Sequence, residues 1–252
     1  MTQPTILITG GTGKFGRRFV DHFCRKGWRV LFTSTSLERA NTLIQEMGEQ
    51  ASVHGFEYDL MQPRNSERLV EELRDQALNV NHLVNNARSL SFLAMNEFGV
   101  AARKDFMAEY LMDVIAPYEL STALWRSQPT ALRTITNISS QYGVVAATPA
   151  LYDDHARQSP IQYGVAKAAL NHLTKELAVR LADDDVRVNA IAYGGVDGRT
   201  DEAFKARYSK LAPAGKMLAE EELPGPLEFL VSEQSSAMTG QIIQADGGWT
   251  IW

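Results

Sequence analysis

Two side chains in the sequence have the types and the spacing to move a proton together. Tyr163 and Lys167 are four residues apart, and in a helix that spacing places both side chains on one face. A free tyrosine loses its proton only at about pH 10, but a neighbouring ammonium stabilises the phenolate and allows exchange nearer to neutral pH. The pair therefore predicts a general acid/base. From spacing alone, a core tyrosine with an unrelated surface lysine remains the alternative.

A second segment has the pattern of a phosphate-binding turn. Residues 5–16 read TILITGGTGKFG, an apolar run followed by Gly10, Gly13 and Gly16 at three-residue spacing. Apolar residues then recur at helical period as far as Cys24, so the segment predicts a strand, a tight turn and a helix. Unpaired amides and the helix dipole at such a helix N-terminus favour a pyrophosphate, and glycine lets the phosphates reach the backbone. A flexible glycine-rich loop is the alternative for this motif alone.

The elements that would position these residues alternate along the whole chain. Beyond the first strand, apolar runs predict strands at 29–33, 52–58, 82–85, 133–138, 187–192 and 241–244, and helical periodicity predicts helices at 37–47, 66–76, 102–126 and 163–181. Repeated β-α-β order predicts an α/β protein with a doubly wound parallel sheet and helices on both faces. We expect a single-domain Rossmann fold over residues 1–252.

Two long segments, 141–162 and 194–222, interrupt this alternation. Both follow predicted strands, and ligands of doubly wound sheets bind beyond the carboxyl ends of the strands. Loops of this length inside a compact domain are usually functional. We therefore expect both segments to shape a substrate pocket and the second to close over it as a lid.

Composition and charge exclude several classes of function. The net charge is -5 over 252 residues, with no basic patch interleaved with aromatic residues, so neither nucleic acid nor an anionic membrane surface is an expected partner. No apolar run reaches 18 residues, and none is expected to span a bilayer. The five histidines include no closely spaced pair, so no metal is expected. A single cysteine and the absence of a signal-peptide pattern predict a cytoplasmic protein.

Seven sequence elements, taken in order, resemble the short-chain dehydrogenase/reductase family. They are residues 9–16, Asp59-Leu60, Asn85-Asn86-Ala87, residues 137–140, residues 163–167, residues 187–190, and Thr239-Gly240 followed by Asp246-Gly247-Gly248. The resemblance covers nearly the whole chain. Within the family, the segment 139–196 is most similar to oxidoreductases of bacterial flagellar and surface-sugar biosynthesis.

The resemblance implies an NAD(P)-dependent oxidoreductase that interconverts a secondary alcohol and a ketone on a small molecule, which we expect to be a sugar or a sugar-nucleotide. Tyr163 would exchange the proton with the substrate oxygen, and Lys167 would also hold the nicotinamide ribose. Ser140 would hydrogen-bond the reacting oxygen, with Ser139 as the other candidate. A homodimer or homotetramer is implied. A catalytically silent dinucleotide-binding sensor or partner protein of the same fold is the alternative.

The resemblance also assigns the cofactor contacts. Besides Tyr163 and Lys167 they are Gly10, Thr12, Gly13, Lys14, Phe15, Gly16, Ser34, Thr35, Asp59, Leu60, Asn86, Ala87, Gly194 and Val196. The second strand ends without the carboxylate that normally binds the adenosine ribose of NAD. Lys14, Arg17 and Arg39 lie nearby in sequence and could accept the extra phosphate of NADP. The sequence therefore favours NADP(H) over NAD(H).

Three residues depart from the family pattern. Asp113 occupies the position of a catalytic asparagine and would bring a carboxyl group near Lys167. Arg88 replaces a glycine after Ala87; it could hold a phosphate or carboxylate of the substrate, or point to solvent or to an interface. Tyr193 replaces a proline. The predicted substrate contacts are Arg88, Tyr142, Tyr152 and Tyr193. The neighbouring Asp153, Asp154, His155 and Arg157 would add polarity that suits a hydroxylated substrate such as a sugar, and a solvated surface loop is the alternative for each of these loop residues.

Overall fold

The computed structural model of the chain describes residues 3–48, 51–198 and 200–252. Arg199, which belongs to the predicted lid segment 194–222, lies outside the described residues, as do residues 1–2 and 49–50 of the predicted 1–252 domain.

Within the part of the chain that the structure describes, seven strands form one sheet in which every pairing is parallel. The strands are β1 (Thr5–Ile8), β2 (Arg29–Ser34), β3 (Val53–Glu57), β4 (His82–Asn85), β5 (Thr134–Ser140), β6 (Arg187–Tyr193) and β7 (Ile242–Ala245). Their order is β3-β2-β1-β4-β5-β6-β7. The chain thus winds outward from β1 in one direction and then from β4 in the other, which confirms the predicted doubly wound sheet and places its switch point between β1 and β4.

Helices connect the strands. They are α1 (Lys14–Arg25), α2 (Leu37–Met47), α3 (Asn65–Asp75), α4 (Arg103–Tyr110), α5 (Ala116–Ser127), α6 (His155–Gln158), α7 (Ile161–Arg180), α8 (Glu202–Leu211) and α9 (Pro224–Val231). The helix predicted over 102–126 is divided by a π-helical turn, Leu111–Ile115. The helix predicted from residue 163 begins two residues earlier. The segments 141–162 and 194–222 contain α6 and α8, so both are partly helical.

Two apolar layers cover the two faces of the sheet. In β1, Leu7 belongs to a layer with α3, α5 and α7, whereas Ile6 and Ile8 belong to a layer with α1, α2 and α9. Cys24 packs at the edge of the second layer. Since successive residues of a strand face opposite sides, a strand covered on both sides is apolar throughout. This explains the uninterrupted apolar runs in the sequence.

A third apolar cluster joins the two long segments to the C-terminal region. Leu151 comes from the first segment, Tyr208 and Met217 come from the second, and Trp249 lies near the end of the chain. The rings of Tyr208 and Trp249 stack with centroids 4.4 Å apart. Among the described residues, none of the helices combines the length and the apolarity that crossing a bilayer requires.

Candidate active site

The turn after β1 is shaped by contacts that only glycine permits. Gly10 has a φ of +66°, and a Cβ there would lie 2.8 Å from the Cα of Ala87. A Cβ on Gly16 would overlap the carbonyl oxygen of Gly10. No side chain caps the N-terminus of α1. The turn therefore leaves backbone amides open to a ligand, as phosphate binding at a helix N-terminus requires.

Thr9 joins this turn to the turn after β4. Its Oγ1 accepts hydrogen bonds from the amides of Asn86 at 2.8 Å and Ala87 at 2.9 Å, and the Asn86 side chain donates to the Thr9 carbonyl at 2.8 Å. Thr9 is part of a motif noted in the sequence, but no role was predicted for it. Its position at the end of β1, just before Gly10, was the sequence signal that could have predicted a structural role for it. The side chain holds the two turns at the switch point in register.

A cavity of about 1190 Å³ extends along the carboxyl ends of the strands. Most of the predicted site residues line it: Gly10, Thr12, Gly13, Lys14, Phe15, Ser34, Thr35, Asp59, Leu60, Asn86, Ala87, Arg88, Ser140, Tyr142, Tyr152, Tyr163, Lys167, Tyr193, Gly194 and Val196. Two predicted residues, Gly16 and Asp113, are not in its wall. Gly16 instead packs closely against Gly10 within the turn. Asp113 instead forms an ion pair with Lys167, whose side chain does line the cavity.

Tyr163 and Lys167 lie one turn apart at the start of α7. Tyr163 is half-buried on the cavity wall, and the Lys167 side chain runs beneath it with its Nζ 5.8 Å from the ring centroid. Lys167 is only 4% exposed. Its Nζ donates to the carbonyl of Ile138 at 2.9 Å and to Oδ1 of Asp113 at 3.0 Å. The predicted proton-exchange pair is thus together on the cavity wall, and the lysine has a carboxylate partner.

The two serines at the end of β5 have different environments. Both residues line the cavity and are nearly fully buried. The Oγ of Ser140 accepts a hydrogen bond from the amide of Tyr142 at 3.2 Å. The Oγ of Ser139 is buried and has no hydrogen-bond partner among the described residues. Neighbouring residues of a strand point to opposite faces. This arrangement favours Ser140 as the hydroxyl available to a substrate.

Arg88 lies over the face of Tyr163. Its Cζ is 4.1 Å from the centroid of the tyrosine ring, within the range of a cation–π interaction. The sequence left open whether Arg88 binds substrate or points to solvent or to an interface. The structure places its guanidinium at the cavity, on the residue predicted to exchange the proton. Contact with a substrate phosphate or carboxylate stays a prediction.

Two buried carboxyl groups lie below Lys167. Asp113 is 1% exposed, and Glu109, four residues earlier, is fully buried. Both carboxyl oxygens of Glu109 and Oδ2 of Asp113 have no hydrogen-bond partner among the described residues. Burial and the charge of Asp113 raise the pKa of Glu109 to about 7. Glu109 was not among the predicted site residues, although its four-residue spacing from Asp113 on a predicted helix was visible in the sequence.

At the β2 end of the cavity, hydroxyl groups and one arginine are close together. Ser34 shares a hydrogen bond of 3.1 Å with the hydroxyl of Thr12. Thr35 accepts one of 3.0 Å from Arg39, and both of these side chains are exposed on the cavity wall. The carboxylate of Asp59 accepts from the amide of Met61 at 3.0 Å and so holds the turn after β3.

The other two cations predicted to favour NADP lie elsewhere. The Lys14 ammonium contacts the carbonyl of Asp197 and lies 3.5 Å from a carboxylate oxygen of Glu220. Arg17 forms an ion pair with Glu46. Only Arg39 of the three lies beside Thr35, because the first turn of α1 directs Lys14 toward the 194–222 segment.

The opposite end of the cavity is aromatic and aliphatic. The hydroxyls of Tyr142 and Tyr152 are 2.7 Å apart, and Tyr152 meets the Phe204 ring edge-on at a centroid distance of 5.9 Å. Burial raises the pKa of both tyrosines. Beyond them the wall is mainly apolar, with Leu90, Met95, Val144, Val145, Ala146, Ala147, Ala156 and Ile161.

Three polar residues of the 141–162 segment do not reach this cavity. Asp154 caps α6 and forms an ion pair with Arg157. Asp153 pairs with Arg207 at 3.0 Å. Of the polar residues singled out in this segment, His155 and the two tyrosines, Tyr142 and Tyr152, line the wall. The charged side chains Asp153, Asp154 and Arg157 instead pair with one another and with α8 at the surface, which is the solvated-loop alternative for these three residues.

Tyr193 is a core residue. It is 2% exposed, its ring meets that of Phe15 edge-on at 5.5 Å, and its hydroxyl donates to the carbonyl of Leu223. Burial raises its pKa well above the ordinary value. The ring forms part of the cavity wall, whereas the hydroxyl is bonded within the protein, so a substrate contact stays a prediction for the ring alone.

Tyr208 connects the two long segments and was not predicted as a site residue. Its hydroxyl donates to Oε1 of Gln141 at 2.9 Å and accepts from the amide of Gly195 at 2.8 Å. Gln141 immediately follows Ser140, and Gly195 follows the end of β6. A tyrosine on α8 thus orders the ends of two strands, and nothing in its local sequence distinguishes it from other helix residues.

Comparison with known proteins agrees with this architecture. Residues 14–250 match the family model described as Enoyl-(Acyl carrier protein) reductase. The chain is 29% identical over 251 residues to a 3-oxoacyl-[acyl-carrier-protein] reductase of Aquifex aeolicus (strain VF5), covering 96% of this chain and 95% of that protein. It is 38% identical to Post-translational flagellin modification protein A of Campylobacter coli over 115 residues, covering 46% of this chain and 45% of that protein.

A solved structure has the same fold. The short chain dehydrogenase from Leptospira borgpetersenii with bound NAD+ superimposes with a TM-score of 0.85 at 25% identity, covering 99% of this chain and 94% of that one.

Proposed function

The chain belongs to the short-chain dehydrogenase/reductase family and is an NAD(P)-dependent oxidoreductase, and we propose that it interconverts a secondary alcohol and a ketone with Tyr163 as the general acid/base. The observation that carries the proposal is the position of Tyr163, Lys167 and Ser140. All three lie on the wall of one cavity that also contains the glycine turn.

The cavity fits a nicotinamide dinucleotide. The glycine turn has no room for a Cβ at Gly10 or Gly16, and the N-terminus of α1 carries no side-chain cap, as close approach of a pyrophosphate requires. Asp59 and Leu60 would flank the adenine, and Asn86 and Ala87 the central part of the cofactor. When bound, the cofactor supplies hydride chemistry, and the protein supplies position and the proton.

The chain's own residues handle the proton. In the direction of reduction, the Tyr163 hydroxyl gives its proton to the substrate oxygen and becomes a phenolate, and in oxidation the phenolate takes the proton back. Ser140 donates a hydrogen bond to the same oxygen and orients it. Lys167 holds the nicotinamide ribose, and its ammonium stabilises the phenolate.

We propose a preference for NADP(H) over NAD(H). The support is the pair Thr35 and Arg39, exposed on the cavity wall where β2 ends without a carboxylate. A guanidinium can bind a phosphate through two parallel hydrogen bonds. Lys14 and Arg17 do not contribute in the arrangement described, since both are paired elsewhere.

For the substrate we propose a hydroxylated small molecule such as a sugar or a sugar-nucleotide. The linked hydroxyls of Tyr142 and Tyr152 and the ring of His155 provide polar groups beside flat aromatic faces. Apolar walls next to such groups suit the C–H face of a sugar ring. The segments 141–162 and 194–222 would close over this end of the cavity. We also propose that the enzyme is cytoplasmic and that residues 1–252 form a single domain.

We also propose a homodimer or homotetramer. Exposed apolar side chains recur along α4, the π-helical turn and α5, at Met107, Tyr110, Ile115 and Tyr118, and Val165 and Val179 lie exposed on α7. Ile251 and Trp252 are about three-quarters exposed at the end of the chain. Apolar surface of this kind is typical of subunit contacts.

The test compares wild-type protein with Tyr163→Phe. Binding of NADPH and NADH is titrated by fluorescence, and turnover is followed by nicotinamide absorbance on a panel of sugars, sugar-nucleotides and simple ketones. The variant is expected to lose at least a thousandfold in kcat, because general acid/base catalysis contributes up to about 10⁴-fold, and to keep its cofactor affinity. A variant as active as the wild type refutes the role of Tyr163. Wild-type protein that binds cofactor but turns over no member of the panel would support the sensor alternative.

A further inference from the structure

The positive charge of Lys167 is already balanced inside the protein. Its Nζ lies 3.0 Å from Oδ1 of Asp113, and both side chains are almost fully buried. Away from water an ion pair interacts strongly, because little solvent screens the two charges. The other hydrogen-bond partner of the ammonium is the neutral carbonyl of Ile138. Lys167 therefore presents much less net positive potential to Tyr163 than a free lysine would.

A second cation lies closer to the ring of Tyr163. The Cζ of Arg88 is 4.1 Å from the ring centroid, whereas the Nζ of Lys167 is 5.8 Å away. None of the ion pairs formed among the described residues involves Arg88. Since a phenolate spreads its negative charge into the ring, a guanidinium above the ring face attracts the ionised form more strongly than the neutral form.

The other titratable groups around Tyr163 do not replace this cation. On the 141–162 segment, Tyr152 shares a hydrogen bond with Tyr142, and burial raises the pKa of both. The Nε2 atom of His155 lies within hydrogen-bond distance, 3.1 Å, of the carbonyl oxygen of Ala147. From α4, Glu109 can add only negative charge, and burial raises its pKa to about 7.

We infer that Arg88 is a positioning residue for the proton exchange, because its guanidinium stabilises the phenolate of Tyr163. It supplies the positive potential that Lys167 cannot supply in full while its charge is balanced by Asp113. The inference rests on the proposed function, because it concerns the proton carried by Tyr163. Arginine keeps its own proton throughout, so Arg88 takes no part in the transfer itself. The two substitutions noted in the sequence, Asp113 and Arg88, are then electrostatically coupled, since one adds a negative and the other a positive charge around the same phenol.

The experiment measures the ionisation of Tyr163 directly. The protein is labelled with carbon-13 at the tyrosine ring carbon that bears the hydroxyl, and its NMR signals are followed against pH. The chain has eight tyrosines, and the signal that is missing in Tyr163→Phe identifies the one under study. Four proteins are compared: wild type, Arg88→Gln, Asp113→Asn and the double variant. Thermal unfolding confirms that each is folded.

The inference predicts opposite shifts for the two single variants. Arg88→Gln moves the titration of Tyr163 upward by about half a pH unit, a change of about threefold in the ionisation equilibrium, because Arg88 is exposed to solvent. Asp113→Asn moves it downward, and the double variant returns toward wild type. Arg88→Lys, which keeps the charge but loses the flat guanidinium, recovers part of the shift. The pH profile of kcat/KM for alcohol oxidation follows the same order.

Two results would overturn the inference. One is an Arg88→Gln variant in which Tyr163 titrates as in the wild type. The other is a double variant that retains the full upward shift of Arg88→Gln. Neither result depends on turnover, so each can be told apart from a failure of the proposed function, which would appear as unimpaired activity of Tyr163→Phe.

Discussion

The two ends of the cavity differ in what shapes them: backbone geometry at one end and side-chain contacts at the other. At the dinucleotide end the shape comes from backbone: the turn at Gly10 and Gly16, the uncapped start of α1, and the amides held by Thr9. At the substrate end it comes from side chains of distant segments, such as Tyr208 bonded to Gln141. Backbone geometry follows from local sequence, whereas side-chain contacts depend on where the fold brings remote residues. The difference explains why the residues of the first end were predictable, whereas at the second end the contacts between remote segments, such as that of Tyr208, were not.

The largest expected effect tests the backbone end. Gly16→Ala places a Cβ on the carbonyl oxygen of Gly10, where no flexible side chain can move away. We expect the turn to shift and the affinity for NADPH and NADH to fall at least a thousandfold, about 4 kcal/mol. Fluorescence titration with both dinucleotides measures the loss.

Gly225→Ala is the matched control. It also lies in the first turn of a helix, α9, but a Cβ there meets nothing within 4 Å. Its affinity should equal that of the wild type. If Gly16→Ala also binds normally, the glycine turn does not shape the cofactor site in the way proposed.

The next effect concerns the buried carboxyl groups near the substrate end. Burial raises the pKa of Glu109 from its ordinary value of 4.5 to about 7 in the folded protein. The folded state therefore binds the proton more tightly than the unfolded chain does. Stability is therefore lost as the pH rises from about 4.5 to 7, by about 3 kcal/mol in all. Urea unfolding of Glu109→Gln across this range should lack that fall.

The exposed carboxyl of Glu71 on α3 provides the comparison for this measurement. Glu71→Gln should keep the wild-type dependence of the unfolding free energy on pH. A wild-type protein whose stability is flat between pH 4.5 and 7, or a Glu109→Gln variant that falls as steeply as the wild type, would contradict the ionisation assigned to Glu109.

The smallest effect concerns Arg39, a side chain that we expect to determine cofactor preference at the end of the cavity that is otherwise shaped by backbone. Arg39→Gln removes the guanidinium beside Thr35. We expect NADPH affinity to fall about tenfold, or 1.4 kcal/mol, and NADH affinity to stay the same. Titrations of both cofactors measure the ratio, and Arg17→Gln is the control because Arg17 pairs with Glu46. Equal losses for the two cofactors would remove the basis for the NADP(H) preference.

The prediction of secondary structure succeeded where one period dominated. Strands β4 and β6 were found within one residue, because each contains a buried apolar run, Leu83-Val84 in β4 and Ala190-Ile191-Ala192 in β6. The helix over 102–126 was predicted as continuous, but the structure contains the π-helical turn Leu111–Ile115. Sequence periodicity does not show a single widened turn, and such turns often occur at functional sites. This one carries Asp113.

The site residues divide in the same way. Lys167 was predicted from its spacing to Tyr163, and the structure places both on the cavity wall. The polar residues Asp153 and Asp154 were expected near the substrate, but ion pairs hold them outside the cavity. For Arg88 the sequence showed only an unusual residue type, and no local pattern indicated that its guanidinium lies on the Tyr163 ring.

By itself, the sequence determined the alternation of strands and helices, the glycine turn and the pairing of Tyr163 with Lys167, because each depends on residues within a few positions of one another. The family resemblance also placed Asp113 near Lys167, and the structure added that the two form a buried ion pair. Only the tertiary structure decided that Glu109 is buried nearby and that Arg88 covers the tyrosine. These contacts join residues from separate elements, and the energy of each depends on burial, which arises only when the layers close on the sheet.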